Sequence, residues 1–385
     1  MNDLARYTTN WNYPTAVKCG VGRIAELAKW CESLGMKHPL LITDPGLADL
    51  AMTRDAAKAC GAAIFSRIKS NPTGQNVEDG VAAFKAGRHD GVVAFGGGSA
   101  LDAAKAVALM AGQKRPLWDF EDVGDNYLRV DVNGMAPVVA VPTTAGTGSE
   151  VGRASVITDE AEKVKRIIFH ARMLPSVVLL DAALTTGLPA KLTAATGMDA
   201  LSHNLEAYCA PGFHPMAAGI ALEGMRMVRE WLPRAVIDGS DLAARSEMLV
   251  ASAMGATAFQ RGLGAMHALA HPLGALYDAH HGMLNAILMP YVLQANRSAI
   301  ETRIEAAAQY LHLPRPSFSS FLDWIVGLRE DIGIPHTLAA IGIDDSSAER
   351  VAEMAVADPS HGGNPIAFTA AQYRDIFTAA VEGAL

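Results

Sequence analysis

Apolar positions along this chain fall into two textures. Through about residue 187, short apolar runs without polar alternation alternate with segments whose apolar residues recur at helical spacing. The runs at 39–43, 62–65, 91–95, 138–141 and 177–180 predict strands. The first stops at Asp44-Pro45-Gly46, and the third runs into Gly96-Gly97-Gly98-Ser99. Residues 23–34, 47–60, 75–87 and 100–110 predict helices; in 75–87, Val77, Val81 and Phe84 share one face. Apolar strands separated by helices predict a parallel sheet covered on both sides.

From about Thr193 the strand signals nearly vanish. Ala-, Leu- and Met-rich segments at 191–209, 216–238, 241–261, 263–277, 284–296, 299–311, 317–331, 346–355 and 369–382 predict an all-helical second domain. The Thr/Gly/Pro stretch at 184–189 is the expected linker, so the domains are read as 1–187 and 188–385. A chain of 385 residues also exceeds the ~250–300 at which a single core stops growing.

Composition narrows the function classes. With half its residues hydrophobic and 19% charged, the chain buries enough apolar surface to order itself, which excludes disorder. A net charge of −8 argues against non-specific nucleic-acid or anionic-membrane binding. Cys19, Cys31, Cys60 and Cys209 are scattered, with no CxxC pair, which argues against a disulfide framework or a cysteine zinc site. The N-terminus lacks a basic stretch followed by an apolar one, and no apolar run approaches the ~18 residues of a membrane span. A cytoplasmic protein is expected.

Two loops follow predicted strands. Gly97, Gly98 and Ser99 stand between a buried strand and a helix, where glycine lets a phosphate approach the backbone and the helix start offers free N–H groups. The stretch Pro142-Thr143-Thr144-Ala145-Gly146-Thr147-Gly148-Ser149-Glu150 concentrates hydroxyls suited to phosphate and ribose oxygens. Both would lie at the carboxyl ends of parallel strands, where open α/β sheets bind ligands. Asp44 ends the first predicted strand; its carboxylate suits a ribose 2′-hydroxyl and equally suits a helix cap.

The histidines of the helical half are the strongest chemical signal. Asp199 and His203 stand four residues apart, as do His267 and His271, so each pair projects from one helix face; His280-His281-Gly282 follows. An aspartate with several histidines is a donor set for iron or zinc. Spacing alone admits two sets: Asp199, His203, His267 and His271, or the same with His281 in place of His271.

These motifs resemble the iron-containing (group III) alcohol dehydrogenase family over nearly the whole chain. The resemblance rests on Gly96-Gly97-Gly98-Ser99-Ala100-Leu101-Asp102-Ala103-Ala104-Lys105, on 142–150, on Gly197-Met198-Asp199-Ala200-Leu201-Ser202-His203, and on His267-Ala268-Leu269-Ala270-His271-Pro272-Leu273-Gly274 with His281-Gly282. It implies a dinucleotide-binding α/β domain and a helical metal-binding domain of the dehydroquinate synthase-like fold. It implies metal ligation by Asp199, His203, His267 and His281, with His271 beside the ion as candidate proton relay. Gly97, Gly98, Ser99, Asp102, Thr143, Thr144 and Thr147 would lie along the cofactor, with Asn71 and Lys165 as further cofactor-side positions. Asp44 would favour NAD over NADP. His280 stands where relatives often carry proline. The implied reaction is reversible hydride transfer between a small alcohol or aldehyde and NAD(H), with Fe²⁺ or Zn²⁺ bound, in a homodimer. The alternatives are a glycerol dehydrogenase-like polyol oxidation and a dehydroquinate synthase-like lyase on the same scaffold. A metal-dependent hydrolase is the rival from another class.

Overall fold

The computed structural model describes residues 15–385, which divide between Gly187 and Leu188 into two compact units. The first unit is built on β1 (Ala16–Cys19), β2 (Leu40–Ile42), β3 (Ala63–Phe65), β4 (Val92–Gly96), β5 (Val138–Pro142), the hairpin β6 (Ala154–Asp159) and β7 (Val164–Phe169), and β8 (Val177–Leu180). All but the hairpin form one sheet, in the order β1-β8-β5-β4-β2-β3, with every neighbouring pair parallel. Helices α1 (Leu27–Ser33), α2 (Pro45–Ala48), α3 (Ala51–Cys60), α4 (Gly74–Ala86) and α5 (Gly98–Met110) link the strands.

The apolar strands β2, β4, β5 and β8 are buried throughout, as their pattern predicts, whereas β3, at the sheet edge, buries Phe65 but exposes Ala63 and Ile64. Leu41, Val93, Phe95, Val139, Val141 and Leu179 pack with Leu27 and Cys31 of α1 and Ala56 and Ala57 of α3. Helix α5 packs on β4 and β5, and its side chains are almost all buried. The chain moves from β2 outward to β3, then returns to β4 on the other side of β2. The order thus reverses between β2 and β4, the place where open α/β sheets open a crevice at their carboxyl ends.

Three strands escape the apolar-run reading for identifiable reasons. β1 is a four-residue edge strand carrying Lys18, with both ends exposed. In the antiparallel hairpin, β6 buries only alternate residues and β7 carries Lys165 and Arg166. A half-solvated ribbon alternates in polarity where a central parallel strand does not.

The second unit holds α6 (Ala190–Cys209), α7 (Pro215–Ile237), α8 (Leu242–Ala258), α9 (Ala265–Tyr277), α10 (His281–Tyr310), α11 (Phe318–Asp331), α12 (Ala348–Ala357) and α13 (Ala370–Glu382). The expected helices at 284–296 and 299–311 are one, α10, of 30 residues. The polar Arg297-Ser298 interrupts the apolar pattern, but Arg297 bonds Glu301 one turn later and the helix continues through it. α6 is buried almost all round from Thr193 to its end, which makes it the central helix, wrapped by α7, α8 and α10. Glycines permit this closeness. A Cβ at Gly224 would stand 2.0 Å from Asn204 Oδ1, and one at Gly255 would stand 3.0 Å from His203 Cβ. Among the described residues no helix is long and apolar enough to cross a membrane.

Candidate active site

Three helices of the second unit bring four donor side chains together. Asp199 and His203 share one face of α6, His267 lies in the first turn of α9, and His281 is the first residue of α10. Asp278 closes α9 in the left-handed conformation (φ 50°), and His280 caps α10 by accepting a bond from the Met283 N–H. That three-residue turn brings His281 back beside His267, with ring centroids 5.2 Å apart. Gly282 lets the start of α10 press on α6, since a Cβ there would lie 2.4 Å from the Ala195 carbonyl oxygen.

One ligand atom from each of Asp199, His203, His267 and His281 lies within 4.8 Å of every other. Ligand atoms ~2.1 Å from an ion at tetrahedral angles stand ~3.4 Å apart, so an inward shift of these side chains would close the set on one divalent cation. Asp199, His203 and His267 are buried, and His281 is partly open, its side chain 24% exposed. A carboxylate and three imidazoles in so small a volume suit iron or zinc and no structural role of their own.

Side chains behind these four hold them in place. Glu206 Oε2 lies 2.6 Å from His267 Nδ1. Asn285 donates from Nδ2 to Asp199 Oδ1 at 2.8 Å. Burial opposes protonation of His267, yet the carboxylates of Glu206, Asp199 and Asp358 lift its pKa above the ordinary imidazole value. His271 stands apart from the four. Its Nδ1 is 2.8 Å from Asp358 Oδ2, and its ring stacks on His281 at 5.4 Å and 12°. Burial pushes the Asp358 carboxyl up, but His271 and Ser360 outweigh it and hold the group below the usual carboxylate range.

In the first unit, the carboxyl ends of β2, β4 and β5 gather the predicted nucleotide residues. Gly97 caps α5 in extended conformation and offers no side-chain bond to the helix start. A Cβ on Gly98 would stand 2.4 Å from Thr147 Cγ2, and one on Gly97 would stand 3.4 Å from Thr144 Cγ2, so the glycine and threonine loops are packed together. Thr143 donates its N–H to the Gly96 carbonyl at 2.9 Å. Asp44 Oδ1 accepts the N–H groups of Gly46 and Leu47 at 2.9 and 3.2 Å, capping α2. Asp44 Oδ2 lies 3.5 Å from the Cβ position of Gly96. The cap and the ribose-facing readings of Asp44 are therefore compatible, one oxygen for each.

The other residues expected on the nucleotide side also have definite partners. Lys165 Nζ donates to Asn71 Oδ1 at 2.9 Å, bringing these two together across 94 residues. Ser99 Oγ donates to the Ser70 carbonyl. Asp102 is engaged in a clasp: Oδ1 accepts from Ser149 Oγ at 2.6 Å and faces Lys105 Nζ at 3.2 Å, while Oδ2 accepts the Val156 N–H at 3.0 Å. Its bonds tie α5 directly to the threonine loop and the hairpin.

Comparison with known proteins matches both parts of the chain. Residues 14–182 match the family described as iron-containing alcohol dehydrogenase, and residues 193–381 match its C-terminal domain. The chain belongs to the iron-containing alcohol dehydrogenase family. It is thus an oxidoreductase, an alcohol dehydrogenase of the metal-dependent kind. It is 38% identical to the 4-hydroxybutyrate dehydrogenase of Cupriavidus necator over 94% of this chain and 97% of that one. It is 36% identical to the NAD-dependent methanol dehydrogenase of Bacillus methanolicus, over 93% and 96%. A solved 1,3-propanediol oxidoreductase superposes with a TM-score of 0.91 at 36% identity, covering 97% of this chain and all of the other.

Sequence reasoning missed Glu206, Asn285 and Asp358. Two of them left a signal. Glu206 follows Asp199 and His203 at the seventh and third positions of the same helix face, and Asn285 follows His281 by one turn. Asp358 left none, because it meets His271 across 87 residues of chain.

Proposed function

We propose that Asp199, His203, His267 and His281 hold a ferrous ion, with zinc as the substitute, and that the loops of the first unit bind NAD(H) for reversible oxidation of small primary alcohols. The observation that carries this reading is the buried set of four donor atoms from three helices, all within 4.8 Å of one another. The relatives' names supply the substrate class: methanol, 1,3-propanediol and 4-hydroxybutyrate all carry a terminal hydroxyl. When bound, the ion supplies Lewis-acid polarisation of the alcohol or carbonyl oxygen, and the nicotinamide supplies the hydride acceptor or donor.

The chain's own residues do the rest. The amides of Gly97, Gly98 and Ser99 at the start of α5 orient the pyrophosphate with the positive end of that helix. The hydroxyls of Thr143, Thr144 and Thr147 border that loop, and Asn71 with Lys165 adds a paired polar contact on the nucleotide side. Asp102 keeps the threonine loop on α5 through Ser149. His271 moves the substrate proton: Asp358 holds its Nδ1, which leaves Nε2 as the exchanging atom.

Asp44 sets nucleotide choice, since a carboxylate beside a 2′-phosphate repels it. Asp44→Gly is expected to raise kcat/KM with NADP relative to NAD by roughly tenfold or more, each ~1.4 kcal/mol of relieved repulsion being a factor of ten. Glycine is the right replacement, because it costs a helix cap only a few tenths of a kcal/mol. An unchanged cofactor ratio, or a wild-type preference for NADP, contradicts the assignment. The four cysteines are scattered along the sequence with no CxxC pair, which supports a reducing, cytoplasmic setting. The enzyme is read as a homodimer, and sedimentation of the purified chain checks it.

A further inference from the structure

We infer that Glu206 is a positioning residue of the metal centre: its buried carboxylate, bonded to His267 Nδ1, fixes the imidazole with Nε2 toward the ion and so sets how tightly the ion is held. This rests on the reading of Asp199, His203, His267 and His281 as the ligand set.

Glu206 stands behind Asp199 and His203 on α6 and reaches across to the start of α9. Three N–H donors converge on its two oxygens. Oε1 accepts from Met266 N at 2.7 Å; Oε2 accepts from Gly264 N at 2.9 Å and lies 2.6 Å from His267 Nδ1. Both the carboxylate and the ring are buried, with 6% and 1% of the side chain exposed, so no solvent competes for these bonds. A carboxylate only accepts, so Nδ1 carries the hydrogen and Nε2 presents its lone pair. Nε2 faces the donor cluster, 3.2 Å from Asn285 Nδ2, which itself bonds Asp199. A carboxylate on the far nitrogen of a ligating histidine fixes its tautomer and orientation and raises its basicity toward the metal.

A purely structural role would be to cap α9, whose first amides lack partners within the helix. Asn364 performs such a role next door, accepting the Ala265 N–H at 3.0 Å. It therefore serves as a control for loss of a cap at this turn. Glutamine at 206 has nearly the same shape but one acceptor and one donor end. In place of Oε1 its nitrogen faces the Met266 N–H. In place of Oε2 it faces the Gly264 N–H and drives His267 to the tautomer whose Nε2 carries hydrogen and cannot ligate.

The test titrates Zn²⁺ into chelator-treated, full-length wild type, Glu206→Gln and Asn364→Ala in competition with a chromophoric chelator, with far-ultraviolet circular dichroism on each. Wild type is expected to bind one Zn²⁺ per chain, Glu206→Gln to bind it about 10–100-fold more weakly, and Asn364→Ala to stay within about threefold of wild type. The inference is overturned if Glu206→Gln binds as wild type does, or if Asn364→Ala loses as much. Failure of wild type to bind Zn²⁺ at all removes the ligand reading itself, and the inference with it. Nitrogen-15 spectra of the histidine rings in Zn²⁺-loaded wild type provide a readout that needs no variant. Hydrogen on Nδ1 of His267 with metal on Nε2 is expected, and the reverse arrangement overturns the inference.

Discussion

His267→Ala is expected to lose its bound metal and to cut NAD-linked alcohol oxidation by roughly 10³-fold or more. Lewis-acid stabilisation is worth several kcal/mol of barrier, and each ~1.4 kcal/mol is a factor of ten. The substitution removes more than one donor atom. His267 ties the buried cluster to Glu206 and stacks on His203 with centroids 4.8 Å apart. Without it, the donor cluster is reduced to Asp199 and two imidazoles. The helix itself should survive, because Ala268, Leu269, Ala270 and Leu273 of α9 remain packed in the core and the Glu206 carboxylate still accepts two backbone amides. Elemental analysis gives metal per chain and circular dichroism gives the fold. A variant with wild-type activity contradicts the ligand assignment.

His271→Gln is expected to behave differently: metal retained near one per chain, kcat lowered by roughly 10²–10⁴-fold, the worth of a positioned proton-transfer group. The two histidines lie one turn apart on α9, yet their surroundings separate them. His267 sits inside the 4.8 Å donor set, whereas His271 is outside it, bonded to Asp358 and stacked on His281. A glutamine can keep the bond to Asp358 through its amide but cannot exchange a proton. Metal content and kcat across pH, measured side by side with His267→Ala, distinguish the roles. Loss of metal in His271→Gln makes His271 a ligand; wild-type metal and wild-type rate make it a packing residue of α9.

The sequence was most readable where one physical constraint acts alone. The central strands are apolar throughout because both faces are covered, so β2, β4, β5 and β8 stand out as runs. The donor residues were legible because histidine and aspartate at helical spacing serve little purpose inside a core. Elements under two constraints were harder. The β6–β7 hairpin mixes a buried face with Lys165 and Arg166, and α10 carries a polar surface pair that reads as a break. The choice between His271 and His281 was not available from spacing, since it depends on the turn at Asp278 and on Asp358. The residues behind the four donors were hidden for the same reason. A buried glutamate looks like any other helix-face glutamate until Gly264, Met266 and His267 are seen to converge on it.

The most direct test of the central claim is reconstitution. The purified chain is stripped with a chelator, and NADH formation is followed by absorbance with NAD and 1,3-propanediol, methanol or 4-hydroxybutyrate, before and after adding one equivalent of Fe²⁺. No steady NADH formation is expected from the stripped protein, with recovery on loading in wild type but not in His267→Ala. Steady NADH formation by the fully stripped wild type, or recovery in His267→Ala equal to wild type, would contradict the claim.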